Sequence, residues 1–351
     1  MCGNRLESDM NFIIVLTEKC NLRCRYCYEK NKNHTSMNIE IAKKCVNFVK
    51  KCMESEKNIL RKEHNVVFHG GEPLLEYEIL EYIVNEFNKV KDFSINYFMT
   101  TNATIYEDKI ANFVASNNIN LSVSIDGNKK SHDLNRIFEN GNGSYDLVIE
   151  NMKKYTRKIK NIRCRITFTK DTLGDIYLGI LELYKIGLKI FAVSENIYCK
   201  EWEDDSLEIL SKQIKKLSGL KKMDSDVKIS LLDFKEEFER EKGDCFGGIT
   251  GMAISSNGSI YPCIYNMNDE NFYLGNLESE MVEIKNSAFY IHRCMSELRS
   301  ECDDCDLNKF CDARRCKLLN FAVNRDSRKA NPMTCELTKM KWKLYKEEYW
   351  I

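Results

Sequence analysis

The 351-residue chain carries no net charge, with 53 Lys and Arg against 53 Asp and Glu. That balance argues against a protein that coats nucleic acid, which needs a basic footprint. No apolar run approaches the ~20 residues of a membrane span, so no membrane partner is expected. Met1 to Asp9 are polar and lack the apolar core of a secretory signal, which points to a cytoplasmic protein. No internal repeat or low-complexity tract is visible. What remains is a globular composition, 43% hydrophobic and 30% charged, on a chain long enough for two domains or one large barrel with an appendage. Such a chain buries about three-quarters of the surface its unfolded form exposes and needs no staples to fold.

Cysteine is in excess, at 16 residues. Without a secretion signal a disulfide scaffold is not expected, and roughly 5% Cys is below the share of a disulfide mini-protein. In a reducing compartment clustered cysteines serve as metal or iron–sulfur ligands. Cys20, Cys24 and Cys27 form one group, and eight more lie from Cys245 to Cys335. Cys45 and Cys52 share a helical pattern with Ile39, Ala42, Val46 and Val49, and read as small buried hydrophobes. Cys164 and Cys199, in or just beyond strand-like runs, read the same way. Cys2 lies in the polar start.

Residues 12–195 alternate strand-like runs (Phe12–Thr17, Val66–His69, Ile95–Thr100, Leu121–Ile125, Arg163–Thr169, Lys189–Ser194) with helical patterns near 38–54, 75–90, 106–116, 145–157 and 174–186. This alternation means right-handed crossovers and a parallel sheet, either open and doubly wound or a partial barrel. Ligands then gather at the carboxyl ends of the strands. Polar residues stand there: Thr17 and Glu18, His69 to Glu72, Thr101 and Asn102, and Asp126. Residues 202–243 are rich in Lys, Glu and Asp with Leu207, Leu210, Ile214 and Leu217 at helical spacing, and read as solvated bridging helices. From Asp244 the chain is loop-rich, and Asn257-Gly258 predicts a hairpin turn.

Cys20-Asn-Leu-Arg-Cys24-Arg-Tyr-Cys27 follows the first strand. Three thiolates on one loop leave one corner of a four-iron cube open for a small molecule; zinc with a distant fourth ligand is the alternative. Gly70-Gly71-Glu72-Pro73 follows the second strand. Alone it reads as a plain turn, because Gly and Pro punctuate loops.

The C-x3-C-x2-C loop with Tyr26 before its last Cys, followed by Gly-Gly-Glu, resembles the radical S-adenosylmethionine (SAM) enzymes. The resemblance implies a partial (β/α)6 TIM-type barrel, a SAM-binding cluster on Cys20, Cys24 and Cys27, Tyr26 near the adenine, and Gly70, Gly71 and Glu72 on the methionyl amino group. Asn102 matches a T-N-G-type stretch in which Ala103 replaces Gly. Ser124, Ser122 and Asp126 alternate onto one face, toward the lumen. Arg136 resembles the arginine that pairs with the SAM carboxylate, with an exposed surface role as its alternative. His69 is left between a ligand contact and a structural role.

Cys245, Cys263, then Cys302-x2-Cys305-x5-Cys311-x4-Cys316 and Cys335 resemble the SPASM extension of peptide-modifying members, with one extra residue before Cys316. The resemblance implies two auxiliary [4Fe-4S] clusters, three in all. Cys245, Cys263 and Cys316 would hold the first; Cys302, Cys305, Cys311 and Cys335 the second. No Cys lies between Phe246 and Pro262, so the first lacks a fourth protein ligand unless Cys294 supplies it. A vacancy would admit a substrate thiolate. The expected domains are 1–200 (barrel), 201–243 (bridging helices) and 244–351 (SPASM).

The implied activity is reductive cleavage of SAM to a 5′-deoxyadenosyl radical that modifies a ribosomally made peptide, by thioether-type crosslinking at Cys. The alternatives are a formylglycine-generating sulfatase-type maturase, for which Asp269 and Glu270 are candidate carboxylates, and a non-catalytic iron–sulfur scaffold. A flavodoxin- or ferredoxin-type reductant is expected. About eleven residues precede the first strand, so a leader would be recognised by a separate protein or by the barrel.

Overall fold

The computed structural model describes residues 10–29, 34–55, 63–199, 202–296 and 300–347; Met1 to Asp9, with Cys2, lie outside them. Strands and helices alternate as their patterns require. β1 (Met10–Thr17) leads to α1 (Ile39–Ser55), β2 (Glu63–Gly70) to α2 (Tyr77–Phe87), and β3 (Ser94–Thr101) to α3 (Asp108–Ser116). β4 (Asn120–Ser124) leads to α4 (Lys129–Asn135) and α5 (Tyr145–Tyr155), β5 (Arg163–Phe168) to α6 (Ile176–Lys185), and β6 (Ile190–Glu195) to α7 (Ser206–Met223). All neighbours from β1 to β6 pair in parallel. In β1, Met10, Phe12, Ile14 and Leu16 are buried toward the helices while Asn11 is exposed on the other face. The buried set packs with Ala42, Cys45, Val46 and Val49 of α1, whose start is capped by Asn38 Oδ1 accepting from Ile41 N at 2.9 Å. Cys45, Cys52 and Cys164 are indeed core residues; Cys199 is only partly buried.

Two features go beyond the strand pattern. Helix α7 is not a solvated bridge. It buries Leu210, Ile214, Leu217 and Leu220 and returns the chain to a seventh parallel strand, β7 (Lys228–Ile229), beside β6, before the short α8 (Phe234–Phe238). Its density of charge reflects only the outer face of an amphipathic helix. Second, β8 (Gly251–Ile254) pairs in parallel with β1, and β9 (Ser259–Tyr261) and β10 (Gly275–Asn276) follow antiparallel. The cysteine-rich segment thus extends the barrel sheet. The order is β10-β9-β8-β1-β2-β3-β4-β5-β6-β7, an open sheet and therefore a partial barrel.

The β8–β9 hairpin turns at Asn257-Gly258, with Gly258 at φ +88°. Its loop spans Ser255 to Gly258, closed by Ser255 N donating to Ser259 O at 2.9 Å. Helices α9 (Met281–Ser296), α10 (Asp312–Arg315), α11 (Lys317–Asn324) and α12 (Pro332–Lys346) complete the chain. Trp342 of α12 stacks on Phe310 and meets Phe238 edge-on, which ties the C-terminal segment to α8. Among the described residues no helix is long and apolar enough to cross a membrane.

Candidate active site

The Cys20–Cys27 loop leaves the carboxyl end of β1 and is held on several sides. Arg23 N donates to Ile137 O at 2.7 Å and Arg25 N to Asn135 O at 2.9 Å. The Asn102 amide donates to Asn21 Oδ1 at 2.9 Å and reaches Cys20 Sγ at 3.8 Å. Leu22 N also donates to Cys20 Sγ, at 3.4 Å. Such donors stabilise a ligand thiolate and tune the potential of a bound cluster. Burial, reinforced by the neighbouring Cys20 and Cys27 and opposed by Arg136, pushes the Cys24 thiol up to about 11. It needs a bound cation to ionise at neutral pH. Three soft thiols beside an open cavity fit an iron–sulfur cluster. Among the described residues no three His, Cys, Asp or Glu close around a single ion. A four-iron cube places each thiolate on a different iron and so calls for a wider arrangement.

Gly70 and Gly71 have a role that their sequence did not disclose. A Cβ on Gly70 would lie 2.4 Å from Thr17 O, and one on Gly71 2.2 Å from Lys19 O. Gly71 N donates to Thr17 O at 2.8 Å and Glu72 N to Lys19 O at 2.9 Å. The glycines let this turn lie directly against the root of the cysteine loop. Glu72 is fully buried and accepts from Thr101 Oγ1 at 2.7 Å, Asn102 N at 2.7 Å and Leu74 N at 3.1 Å. Burial still prevails over these bonds and pushes its carboxyl up to about 7. Ala103 sits at φ +55°, a conformation that costs a non-glycine residue roughly 1–2 kcal/mol. That explains why Gly suits this position.

Arg136 is buried, which excludes the exposed surface role. Its Nε and Nη2 donate to Asp126 Oδ2 and Oδ1 at 3.0 and 3.1 Å. Tyr26 donates its hydroxyl to the same carboxylate and lies under the guanidinium, 5.3 Å from ring centroid to Cζ. Thr167 N adds a fourth donor at 3.0 Å. Asp126 therefore does not stand free in the lumen with Ser122 and Ser124; it locks Tyr26 and Arg136 against the cysteine loop.

A cavity of about 710 Å³ fills the carboxyl end of the barrel, within the size range of small-molecule sites. Cys20, Cys24, Cys27, Tyr26, Gly70 to Glu72, Asn102, Ser124 and Arg136 all line it. So do residues that motif reading passed over: Tyr28, Arg163, Arg165, Tyr198 and Tyr265. Strand alternation would have put the two arginines on the face of Thr167, but nothing local marks them as functional. His69 also lines the cavity. Burial, with Arg165, holds its imidazole down to about 4, and Nδ1 accepts from Gly70 N at 3.0 Å. The ring is thus neutral with its proton on Nε2. Tyr28 and Tyr265 meet edge-on at 5.4 Å and border a second space of about 730 Å³ that reaches Asp269, Glu270 and Arg325. Arg325 pairs with Asp269 at 3.1 Å.

The second cysteine set divides into two groups. Cys245 precedes β8 and Cys263 follows β9; burial pushes Cys263 up to about 12, with Cys316 and Cys245 adding to the effect. Burial pushes Cys302 and Cys335 up, with Cys311 and Cys335 adding to the effect on Cys302 and Cys311 and Cys305 to that on Cys335. Cys294 is exposed on α9.

A profile of the Radical SAM superfamily matches residues 14–176, and one of the SPASM iron–sulfur cluster-binding domain matches residues 245–317. An uncharacterized protein of Methanocaldococcus jannaschii is 28% identical over 74% of this chain and 90% of its own length. A cysteine-type anaerobic sulfatase-maturating enzyme of Clostridium novyi is 26% identical over 87% of each chain. Among solved structures, native anSMEcpe with bound AdoMet superposes with a TM-score of 0.78 at 20% identity, covering 96% of this chain and 97% of that one. Streptococcus suis SuiB bound to S-adenosylmethionine gives 0.67 at 18% identity, covering 94% and 78%.

Proposed function

Because the chain belongs to the radical SAM superfamily and carries a SPASM domain, we propose that it is a peptide maturase that crosslinks a ribosomally made peptide through a Cys sulfur. The observation that carries this reading is the pairing of two sites around one cavity. The cysteine loop and the Gly-Gly-Glu turn stand on one side, and the Cys245, Cys263 and Cys316 group is linked to it through Ile264 and Tyr265. Solved relatives contain peptides, namely anSMEcpe with the Kp18Cys peptide and SuiB with its precursor SuiA.

Cys20, Cys24 and Cys27 would hold the cluster that supplies the electron for SAM cleavage; Cys245, Cys263 and Cys316, and Cys302, Cys305, Cys311 and Cys335, would hold two more. Gly70, Gly71 and Glu72 would receive the methionyl amino group. Asn102 sets the loop by its bond to Asn21, and Ser124 presents a hydroxyl on the same wall. Tyr26 would lie near the adenine and Arg136 near the SAM carboxylate, both held in place by Asp126. Crosslinking removes one hydrogen from a substrate carbon and the proton from the Cys thiol; the remaining electron leaves through an auxiliary group.

Glu72→Gln is expected to weaken SAM binding about ten- to a hundredfold, the value of a charge-assisted hydrogen bond of roughly 1.5–3 kcal/mol. The sign of the pH effect follows from the raised carboxyl. Below about 7 it is protonated and above it charged, so wild-type affinity should rise as pH passes upward through 7. The same shift means that ionising Glu72 costs folding stability as pH climbs from the ordinary carboxylate range through 7. Equilibrium dialysis with labelled SAM reads the affinity; an unchanged, equally pH-dependent value in the variant would reduce Gly70 to Pro73 to a structural turn.

The exposed position of Cys294 supports an open corner on the Cys245, Cys263 and Cys316 group. Cys294→Ser should keep its full iron and its activity, and a Cys-containing peptide should perturb the auxiliary EPR signal. Iron loss in that variant would identify Cys294 as the missing ligand. Product mass separates the chemistries. A crosslink loses two hydrogens, whereas formylglycine from Cys also exchanges sulfur for oxygen.

A further inference from the structure

Two cations stand in the barrel lumen without an acidic partner. Arg163 and Arg165 alternate along β5 and project onto the face that lines the cavity, while Cys164 and Ile166 are buried behind them. Among the described residues neither has a carboxylate within ion-pair distance. The Arg163 side chain makes one hydrogen bond, from Nε to Ser122 Oγ at 3.0 Å, and among the described residues the Arg165 side chain has none, although its backbone O accepts from Ile125 N. The other charges of this wall are engaged. Arg136 is held by Asp126, Glu72 accepts from three donors, Glu29 accepts from the Tyr28 hydroxyl at 3.0 Å, and Glu195 accepts from Thr334 Oγ1. Residues two apart on a strand are separated by about 7 Å, so two like charges face the same space. The neutral composition of the chain does not force this placement. Both side chains are solvent-exposed at the cavity surface. They repel each other yet remain open to an incoming anion, which relieves that repulsion.

The position is informative. Arg165 is opposite Ser124 in the β4–β5 register and Arg163 is opposite Ser122, one strand beyond the residues assigned to SAM. Arg165 also acts electrostatically on His69 of β2 and on Tyr265 after β9. Its guanidinium therefore lies between the barrel and the tyrosines that border the outer space. A group entering past Tyr28, Tyr198 and Tyr265 meets this pair.

We propose that Arg163 and Arg165 form a specificity site for a substrate carboxylate, an acidic side chain or the C-terminal carboxylate close to the residue that is modified. This rests on the peptide reading above. The guanidinium fork matches a carboxylate bidentately, and two of them at this spacing bracket one anion or hold one oxygen each.

The test uses the reconstituted holoprotein with SAM and three fluorescein-labelled, Cys-containing octapeptides. One has Glu beside Cys and an amidated end, one has Gln there and an amidated end, and one has Gln and a free carboxylate. Anisotropy should show one of the charged peptides binding about tenfold or more tighter than the neutral one, and which one tells side chain from terminus. The advantage should vanish in Arg165→Gln, shrink in Arg163→Gln, return in part in Arg165→Lys, and fall with salt. Equal binding of all three peptides, or an acidic preference that survives Arg165→Gln, would overturn the proposal and leave the peptide reading intact. Loss of SAM affinity in Arg165→Gln would overturn it too, by assigning the cation to SAM's own carboxylate. If no peptide binds but GTP does, dependent on Arg165, the pair serves phosphate and the peptide reading fails with it.

Discussion

Replacing Cys20, Cys24 and Cys27 together with Ala should abolish 5′-deoxyadenosine production and remove about four of about twelve irons from anaerobically reconstituted protein. The three residues share one loop, and that loop packs on the Gly70–Glu72 turn and on Asn102. No other described thiols line the same cavity, so none stands ready to substitute. The loss should also be selective. The C-terminal thiols lie around α9 to α12 and the β8–β9 hairpin, so about eight irons should remain and the apoprotein sheet should stay folded. Residual 5′-deoxyadenosine in the triple variant would refute the site assignment. Loss of all iron would show instead that the three sites assemble cooperatively.

Arg136→Leu should destabilise the chain by about 3–5 kcal/mol, the cost of leaving one member of a buried ion pair without its partner. The pair is almost wholly enclosed, at 8% and 1% side-chain exposure, so solvent screening does little to soften the loss. Asp126 would keep Tyr26 and Thr167 N as donors, which places the effect at the lower end of that range. The double variant with Asp126→Asn should lose much less than the sum of the two single changes, because it no longer buries an uncompensated charge. Urea midpoints of the four proteins would decide this. A loss below about 1 kcal/mol in the single variant would mean that the pair is solvated in solution.

Within residues 12–195 the strand and helix periodicities were enough to read a parallel α/β sheet, because each turn of that pattern depends on near neighbours in the chain; that the sheet is a partial barrel came from the family resemblance. Ser122 and Ser124 were placed correctly on the lumen side by alternation alone. The same rule holds for Arg163 and Arg165, but a period of two does not reveal whether a charge on the inner face has a partner. The spacing of the cysteines likewise singled out the loop at Cys20–Cys27, whereas the partition of the later thiols came from the resemblance to the SPASM extension and stands as a proposal.

Long-range pairing was not legible. That β8 would add to β1, 240 residues earlier in register at Asn11 and Gly251, is decided by an open sheet edge finding a short apolar strand, and no local pattern encodes it. Burial also changed the meaning of residues whose type was read correctly. Glu72 is a carboxylate pushed toward neutrality, Arg136 is paired with Asp126 through Nε and Nη2, and Gly70 and Gly71 make room for Thr17 and Lys19 rather than for a ligand alone. Sequence by itself determined the local elements and the chemistry available, since both follow from side chains and their covalent spacing. Only the tertiary structure decided which charges are compensated, because that depends on atoms brought together from strands far apart in the chain.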